Sequence, residues 1–231
     1  MATNKGQRLG IIVILIATVV GTIGSFAVMI LSTQNNAKLQ AAYQAAYAKY
    51  QTAQTAYSNK VTAQTDELSS KYYETFKQYS DQVGTFDMSN VTAVSTEDLV
   101  VGDGEEVTGT TKLAAYYIGW DANGHVFDQS IDTSTNKLKA PLAIEDGLDK
   151  ASLITGWKEG MKGMHIGGVR VITIPSDKAY GESGQKDSSG NETIAANMPL
   201  KFVVMAIPAP ETIEQPDTTE LMKAYSAANG Q

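Results

Sequence analysis

One uninterrupted apolar segment constrains this chain more than any other feature of its sequence. Residues 11–31 contain no charged side chain, and as a helix this segment would span about 31 Å. That length matches the hydrocarbon core of a bilayer, which is about 30 Å thick. We therefore expect one transmembrane helix over residues 11–31, preceded by a short N-terminal segment, residues 1–10.

The charges that flank the apolar segment predict its orientation. Lys5 and Arg8 precede it, and the next charged residue, Lys38, lies seven residues beyond its end. Under the positive-inside rule, the N-terminus stays cytoplasmic and the rest of the chain lies outside the cell membrane. A cleaved signal peptide is the alternative, but Val28–Leu31 prolongs the apolar run beyond the candidate cleavage site at Ser25–Ala27. We therefore predict an uncleaved single-pass anchor.

Composition excludes several functional classes. Residues 1–84 hold 7 Lys and Arg against 4 Asp and Glu, whereas residues 85–231 hold 11 against 21. The net charge of −7 argues against a general nucleic-acid partner, because phosphate binding needs a basic face. The chain has no cysteine and only two histidines, so disulfides, thiolate zinc sites and thiol nucleophiles are excluded. We expect neither a metal nor an organic cofactor.

Residues 32–83 have the composition of a long helix. Residues 34–81 lack proline and glycine, and they hold seven of the chain's 11 tyrosines. Steps of three, four and seven residues separate the apolar positions, which predicts a helical stripe close to a heptad. The members of the stripe are Leu39, Tyr43, Tyr47, Tyr50, Tyr57, Val61 and Leu68. We predict a stalk that pairs through this stripe, as a coiled coil in a homodimer or with a partner chain. A spacer, and a two-helix hairpin broken at Ser58–Asn59, are the alternatives.

Short strands and turns follow the stalk, after a linker at residues 84–96. Asn123–Gly124 is a strong hairpin signal, which follows an aromatic-rich strand predicted at residues 111–118. Helical spacing predicts one helix over Ser152–Met164. Buried strands are predicted at Val169–Ile174 and Leu200–Ile207.

One helix among antiparallel strands indicates an α+β domain, in which the helix covers one face of a sheet. We place this domain at residues 97–208, a length sufficient for an independent core. The remaining residues, 209–231, form a C-terminal tail. A capping pattern at Asp217–Glu220 predicts a short helix over residues 218–228.

Four sequence blocks in this domain carry a resemblance when they are taken together. They are Tyr117–Gly119, Phe127–Asp128, Leu153–Gly160 and Ala179–Gly181. In order and spacing they resemble the FKBP family of peptidyl-prolyl cis-trans isomerases. The resemblance implies a bent antiparallel β half-barrel of five strands around one short helix, with a pocket between helix and sheet. It also implies that the partners are proline-containing polypeptides and macrolide inhibitors.

The resemblance also implies roles for individual residues. Asp128 and Tyr180 match polar groups at the rim of the pocket, and Ile154 matches a residue whose backbone meets the substrate. These three are the candidate catalytic residues. The candidate substrate-binding residues are Tyr117, Phe127, Leu142, Leu153, Trp157, Ile194 and Phe202.

Two departures from the family's pattern affect the surroundings of the pocket more than the fold. Leu142 stands where many members carry an aromatic residue. The loop at residues 184–194 is longer than usual and strongly polar. Both departures bear on drug affinity and on substrate preference.

Rotation about an Xaa-Pro bond requires neither a nucleophile nor a proton shuttle. Its barrier is about 20 kcal/mol, because the twisted amide loses its conjugation. The planar amide is more polar than the twisted one, so a dry aromatic pocket disfavours the planar ground state relative to the twisted state. A hydrogen bond from the Ile154 N–H or the Tyr180 hydroxyl can orient the substrate while the bond turns.

We therefore predict a membrane-anchored peptidyl-prolyl isomerase that assists the folding of exported proteins at the outer face of the membrane. The alternative is a catalytically weak module that binds proline-containing peptides and acts as a chaperone or scaffold on its stalk. A surface spacer with a decayed domain is disfavoured, because Trp157, Phe127 and Tyr180 are all present.

Overall fold

The computed structural model describes residues 34–229, so the predicted transmembrane segment at residues 11–31 lies outside the described residues. Between residues 34 and 229, none of the helices combines the length and the apolar character needed to cross a membrane. Two compact units divide the described chain. One comprises residues 34–63 and 212–229, and the other comprises residues 64–211.

The first helix, α1, runs without a break over Gln34–Lys77. A turn of 3₁₀ helix at Gln78–Gln82 follows it. The prediction of one long helix is confirmed, and the alternative hairpin broken at Ser58–Asn59 is wrong. Serine and asparagine each cost only a fraction of a kcal/mol inside a helix, about 0.7 or less relative to alanine, and cannot interrupt one that is rich in good helix formers.

The unit formed by residues 64–211 is built on antiparallel strands. In chain order they are β1 Ser95–Val100, β2 Leu113–Asp121, β3 Val126–Gln129, β4 Ile131–Asp132, β5 Lys137–Leu138, β6 Leu142–Ile144, β7 Val169–Ile174, β8 Gln185–Lys186, β9 Glu192–Ile194 and β10 Leu200–Pro208. The main sheet has the order β1-β7-β10-β2-β3, and β6 pairs with the first residues of β2. The pairs β4–β5 and β8–β9 form separate hairpins. This is the α+β architecture that the sequence predicts, but the main sheet has six strands and not the five that the resemblance implies, because β6 adds to the end of β2.

The hairpin predicted at Asn123–Gly124 joins β2 to β3, and Gly124 adopts a φ of 80°, which favours glycine. Strand β7 coincides with the predicted Val169–Ile174. Helix α2 spans Thr155–Met161 and is shorter at both ends than predicted. Ile154 and Lys162 are both extended, with ψ of 146° and 139°, so apolar spacing alone overestimated the helix.

The sheet separates two hydrophobic layers, because successive residues of a strand point to opposite faces. On the face that we call inner, the strands pack against α2. The inner residues include Leu113, Ala115, Ile172, Ile174, Phe202 and Val204. On the outer face, the strands pack against the C-terminal part of α1. The outer residues include Ala114, Tyr116, Ile118, Trp120, Val171, Val203 and Met205, with Leu68, Tyr72 and Phe76 of α1. Residues 64–77 of the predicted stalk thus belong to the core of this unit.

Helix α2 lies close to β7 because two of its residues are glycines. A Cβ atom added to Gly156 would overlap with the side chain of Ile174. One added to Gly160 would overlap with Ile172. The glycines weaken the helix itself by about 1 kcal/mol each relative to alanine, so close packing on the sheet must offset that cost.

Arg170 ties the edge of the sheet to the end of α2. Its guanidinium donates to both carboxylate oxygens of Asp98 in β1, at 2.6 and 3.0 Å. It also donates to the carbonyl oxygens of Gly160 and Lys162, each at 3.0 Å. Arg170 is buried, and a buried cation needs such partners. The hydrogen bonds from Arg170 lower the pKa of Asp98 below its usual range.

The linker predicted at residues 84–96 is shorter in the structure, because its last two residues begin β1, and the remaining residues are attached to the sheet by specific contacts. The Trp120 indole N–H donates to the Gly84 carbonyl at 3.0 Å. The Phe86 amide donates to the Ala122 carbonyl at 3.0 Å. The Lys201 ammonium lies 4.9 Å from the centre of the Phe86 ring.

In the other unit, residues 34–63 pack with the end of the chain. Helix α3 occupies Thr219–Ala228, which confirms the predicted short helix. Its Tyr225 contacts Tyr43 of α1, with ring centroids 6.2 Å apart. Tyr43 and Leu221 are both buried. The C-terminal tail thus covers part of the stripe through which pairing was predicted, and pairing with a second copy stays a prediction.

Candidate functional site

Four aromatic rings converge on the inner face of the sheet. Trp157 of α2 meets Tyr117 of β2 and Phe202 of β10 edge-on, with ring centroids 5.8 and 5.9 Å apart. Phe127 of β3 meets Phe202 in the same way at 5.6 Å. Edge-to-face contacts at these distances are favourable for aromatic pairs. We call these four residues the aromatic cluster.

The strands place the cluster through their pairing. Phe202 lies opposite Gly119 in the register of β10 and β2. A Cβ atom on Gly119 would lie 2.6 Å from Phe202 and 2.8 Å from Phe127, so only glycine leaves room for both rings. Sequence reasoning used Gly119 only as part of a motif. A glycine inside an aromatic-rich strand is itself a signal of close packing.

The cluster has a buried base and a partly exposed rim. Trp157 is 3% exposed and Phe202 is 5% exposed, and Ile194 lies beside them, also buried. The residues that pack on this base while keeping part of their surface exposed are Tyr117, Phe127, Leu142, Leu153, Ile154 and Tyr180. The structure therefore brings all the predicted apolar site residues into one layer with a partly exposed edge.

One carboxylate borders the rim. The Tyr117 hydroxyl donates to Asp128 at 2.5 Å, a short charge-assisted hydrogen bond. Burial and the negative charge of Asp128 raise the pKa of Tyr117 above its usual value. The same two causes, in the same order, raise the pKa of Tyr180. Both hydroxyls therefore stay protonated at neutral pH and remain hydrogen-bond donors.

Two donors at the rim have no protein acceptor within residues 34–229. The Ile154 carbonyl accepts from the amides of Trp157 and Lys158 at the start of α2, at 3.1 and 3.3 Å. The Ile154 amide itself precedes the helix and makes no hydrogen bond in the described chain. The Tyr180 hydroxyl likewise makes none there. These donors are available to a ligand.

Ser130 supports this site, and sequence reasoning did not select it. Its hydroxyl accepts from the Tyr117 amide at 2.9 Å, and its own amide donates to the Tyr117 carbonyl at 2.8 Å. Ser130 is 5% exposed. From the sequence, a serine after a polar motif is predicted to be a loop residue. The contacts of Ser130 become evident only from the pairing of β2 with β3.

The long polar loop at residues 184–194 is an ordered hairpin, β8–β9. Asp187 accepts hydrogen bonds from the amides of Ser189 and Asn191, each at 2.9 Å. This arrangement is typical of an aspartate that nucleates a turn. The loop ends at Ile194, beside the aromatic cluster.

Comparison with known proteins identifies the family. Over 88 residues, the chain is 41% identical to the FK506-binding protein of Neisseria meningitidis serogroup B, covering 38% of this chain and 74% of that protein. The chain belongs to the FKBP family. Residues 103–207 match the family model of the FKBP-type peptidyl-prolyl cis-trans isomerases. This range contains all ten predicted site residues, whose individual roles stay predictions.

Longer FKBP relatives match over a smaller share of their length. The chain is 36% identical over 117 residues to FK506-binding protein 4 of Emericella nidulans, covering 51% of this chain but only 23% of that protein. Among solved structures, the crystal structure of AtFKBP13 is 31% identical and covers 51% of this chain and 93% of that one, with a TM-score of 0.43. The chain thus spans less than a quarter of the length of FK506-binding protein 4.

Proposed function

We propose that this FKBP catalyses cis/trans rotation about Xaa-Pro bonds in exported polypeptides, at the outer face of the membrane in which residues 11–31 anchor it. The observation that carries the catalytic part is the aromatic cluster with its partly exposed rim and two free donors. The anchor and the location follow from the sequence pattern alone.

The proline ring and its amide enter over the aromatic cluster. Trp157 and Phe202 supply a dry base, and Tyr117 and Phe127 supply walls. Removal of water disfavours the polar planar amide relative to the twisted one, which has lost its conjugation. The rotation barrier of about 20 kcal/mol is therefore lowered without any covalent step.

The polar groups hold the substrate while its bond turns. The free Ile154 amide donates a hydrogen bond to a substrate carbonyl, and the Tyr180 hydroxyl supplies a second donor. Each such hydrogen bond contributes about 0.5–1.5 kcal/mol. Asp128, which accepts the hydrogen bond from Tyr117, keeps a polar group in a fixed place at the rim, where it helps to orient the substrate.

A peptide isomerisation assay tests the catalytic part. We expect Tyr180→Phe to lower kcat/KM by about three- to tenfold, the value of one lost hydrogen bond. Asp128→Ala should lower it as well. Tyr50→Phe on α1 makes the same chemical change outside the FKBP domain and is the matched control, which should behave like the wild type. A wild type with only background turnover would instead favour the peptide-binding module.

Single cysteines test the location, because the chain has no cysteine of its own. We expect Ser189→Cys, on the exposed β8–β9 loop, to react with a membrane-impermeant maleimide on intact cells. Thr3→Cys, before the apolar segment, should react only after the cells are permeabilised. The reverse pattern, or equal labelling of both, would refute the proposed orientation.

A further inference from the structure

Helix α1 is tied to one hairpin of the FKBP domain at three places. The Lys137 ammonium lies 2.7 Å from a carboxylate oxygen of Asp66. The Tyr73 hydroxyl donates to the side-chain oxygen of Asn136 at 3.5 Å. Between these two contacts, the Ser69 hydroxyl accepts from the amide of Leu138 at 2.8 Å. All three contacts reach the β4–β5 hairpin.

Ser69 forms the central and most buried of these ties. Its exposed fraction is 3%, and Leu138 is 2% exposed. The Asp66 and Lys137 side chains are 49% and 57% exposed, so their ion pair is weakened by solvent. The loss of the Ser69 hydroxyl would leave a buried amide without a partner, which is costly in a dry environment.

The β4–β5 hairpin lies, along the chain, between two strands that carry predicted site residues. It begins directly after β3, which carries Phe127 and Asp128, and it leads into β6, which begins at Leu142. The hairpin is therefore joined directly to the strands of Phe127 and Leu142, two predicted substrate-binding residues. Helix α1 holds the hairpin from the opposite, outer face of the sheet.

A continuous set of hydrogen bonds joins the hairpin to the rim. Next to Leu138, the Lys139 amide donates to the Ser130 carbonyl at 2.8 Å. Ser130 in turn holds the backbone of Tyr117 through its hydroxyl and its amide. Tyr117 then donates to Asp128. These hydrogen bonds connect the hairpin to the Asp128 carboxylate.

We propose that Ser69 is a positioning residue for the isomerase site, acting through the hairpin and Ser130 on the Tyr117–Asp128 pair. Ser69 lies outside the family match at residues 103–207, so this control of the pocket comes from the N-terminal helix of this chain. The inference rests on the proposed function for its kinetic test but not for its spectroscopic test.

The kinetic test compares Ser69→Ala with Ser70→Ala in the full-length chain. Ser70 is its exposed neighbour and bonds only within α1, so Ser70→Ala is the matched control. We expect Ser69→Ala to raise KM for a short Xaa-Pro peptide by about three- to tenfold, with kcat changed less than about twofold, because the displaced side chains lose contacts that the peptide makes equally before and during the rotation. The assay is run well below the unfolding midpoint of each variant.

Non-additivity gives a second kinetic measurement. Ser130→Ala should raise KM through the same path, so the double variant should lose no more than the larger of the two single effects. Should Ser69→Ala unfold, the pair Asp66→Asn and Tyr73→Phe removes the two exposed ties and should raise KM by a smaller factor. Unchanged KM in a folded, merely less stable Ser69→Ala variant overturns the proposal, as do strictly additive effects.

Fluorine NMR separates this inference from the proposed function. In the full chain labelled with fluorotyrosine and solubilised in detergent, the Tyr117 resonance is assigned by its loss in Tyr117→Phe. We expect Ser69→Ala to shift that resonance and Ser70→Ala to leave it unchanged. A shift in an inactive wild-type background supports Ser69 and defeats only the proposed activity. An unmoved resonance defeats the role of Ser69 whatever the activity.

Discussion

The two faces of the main sheet are both rich in aromatic residues, but these residues differ in exposure and in hydrogen bonding. Tyr116 and Tyr117 are neighbours in β2 and point to opposite faces. On the inner face, the Tyr117 hydroxyl is paired with Asp128 and its ring is partly exposed. On the outer face, Tyr116 is fully buried under α1, against Tyr72 and Phe76. Its hydroxyl has no partner in the described chain.

This difference separates a partly exposed surface, which we propose as the binding surface, from a surface that is buried under α1. Partly exposed rings with bonded polar neighbours retain apolar area that only a ligand can cover. On the outer face, α1 covers the apolar area. This face also contains the unpaired Tyr116 hydroxyl, whose burial costs about 1–3 kcal/mol. The C-terminal part of a helix that the sequence predicts as a stalk thus completes the core of the unit formed by residues 64–211.

The largest expected effect is a loss of stability when the packing of α1 on the outer face is disrupted. Phe76 is fully buried between Tyr79 and Tyr116. We expect Phe76→Ala to lower the free energy of unfolding by about 3–5 kcal/mol, measured by denaturant titration, because it leaves a large cavity. The exposed neighbour supplies the control, Thr75→Ala, with a change below about 0.5 kcal/mol. A small effect at Phe76 would mean that α1 does not pack stably on the sheet.

The same substitution at two adjacent tyrosines sharpens the comparison. Tyr116→Phe removes an unpaired buried hydroxyl and should stabilise the protein by about 1 kcal/mol, with kcat/KM unchanged. Tyr117→Phe removes the partner of Asp128 and should lower kcat/KM by about three- to tenfold. Thermal unfolding and the peptide assay measure the two responses. Equal responses from the two variants would contradict the division of labour between the faces.

The smallest expected effect appears at alkaline pH. Burial, with a smaller contribution from Tyr72, raises the pKa of Tyr116 in the folded protein. Above a pH of about 10, the unfolded chain releases this proton while the folded chain keeps it, so stability is full below that pH and falls as pH rises. Relative to neutral pH, the free energy of unfolding is lowered through Tyr116 by about 0.4 kcal/mol at pH 10 and by about 0.8 kcal/mol at pH 10.5. Tyr116→Phe should therefore flatten the decline of stability in this range, and parallel curves for the two proteins would refute the assignment.

Much of the fold could be predicted from local patterns, and the site followed from a combination of motifs. Strand β7 and the helix after Pro216 match their apolar and capping signals, and Trp157, Phe127 and Phe202 meet as expected. Ser69 and Ser130 escaped prediction because their roles depend on residues 69 and 13 positions away, respectively. No periodicity reports such distant pairing. The tyrosine stripe predicted a packing surface for a second copy or a partner chain. The structure shows the C-terminal helix against Tyr43, because a stripe does not specify which segment packs on it.

The two glycines of α2 set how deep the tryptophan of the aromatic cluster can sit. Gly156 and Gly160 have only a hydrogen atom where other residues have a Cβ atom, and this lets the helix approach the sheet closely. Truncation scanning, which removes atoms, is blind to such positions. Adding a single methyl group at either one would lift the floor of the site, and a search for altered ligand size in this enzyme should begin there.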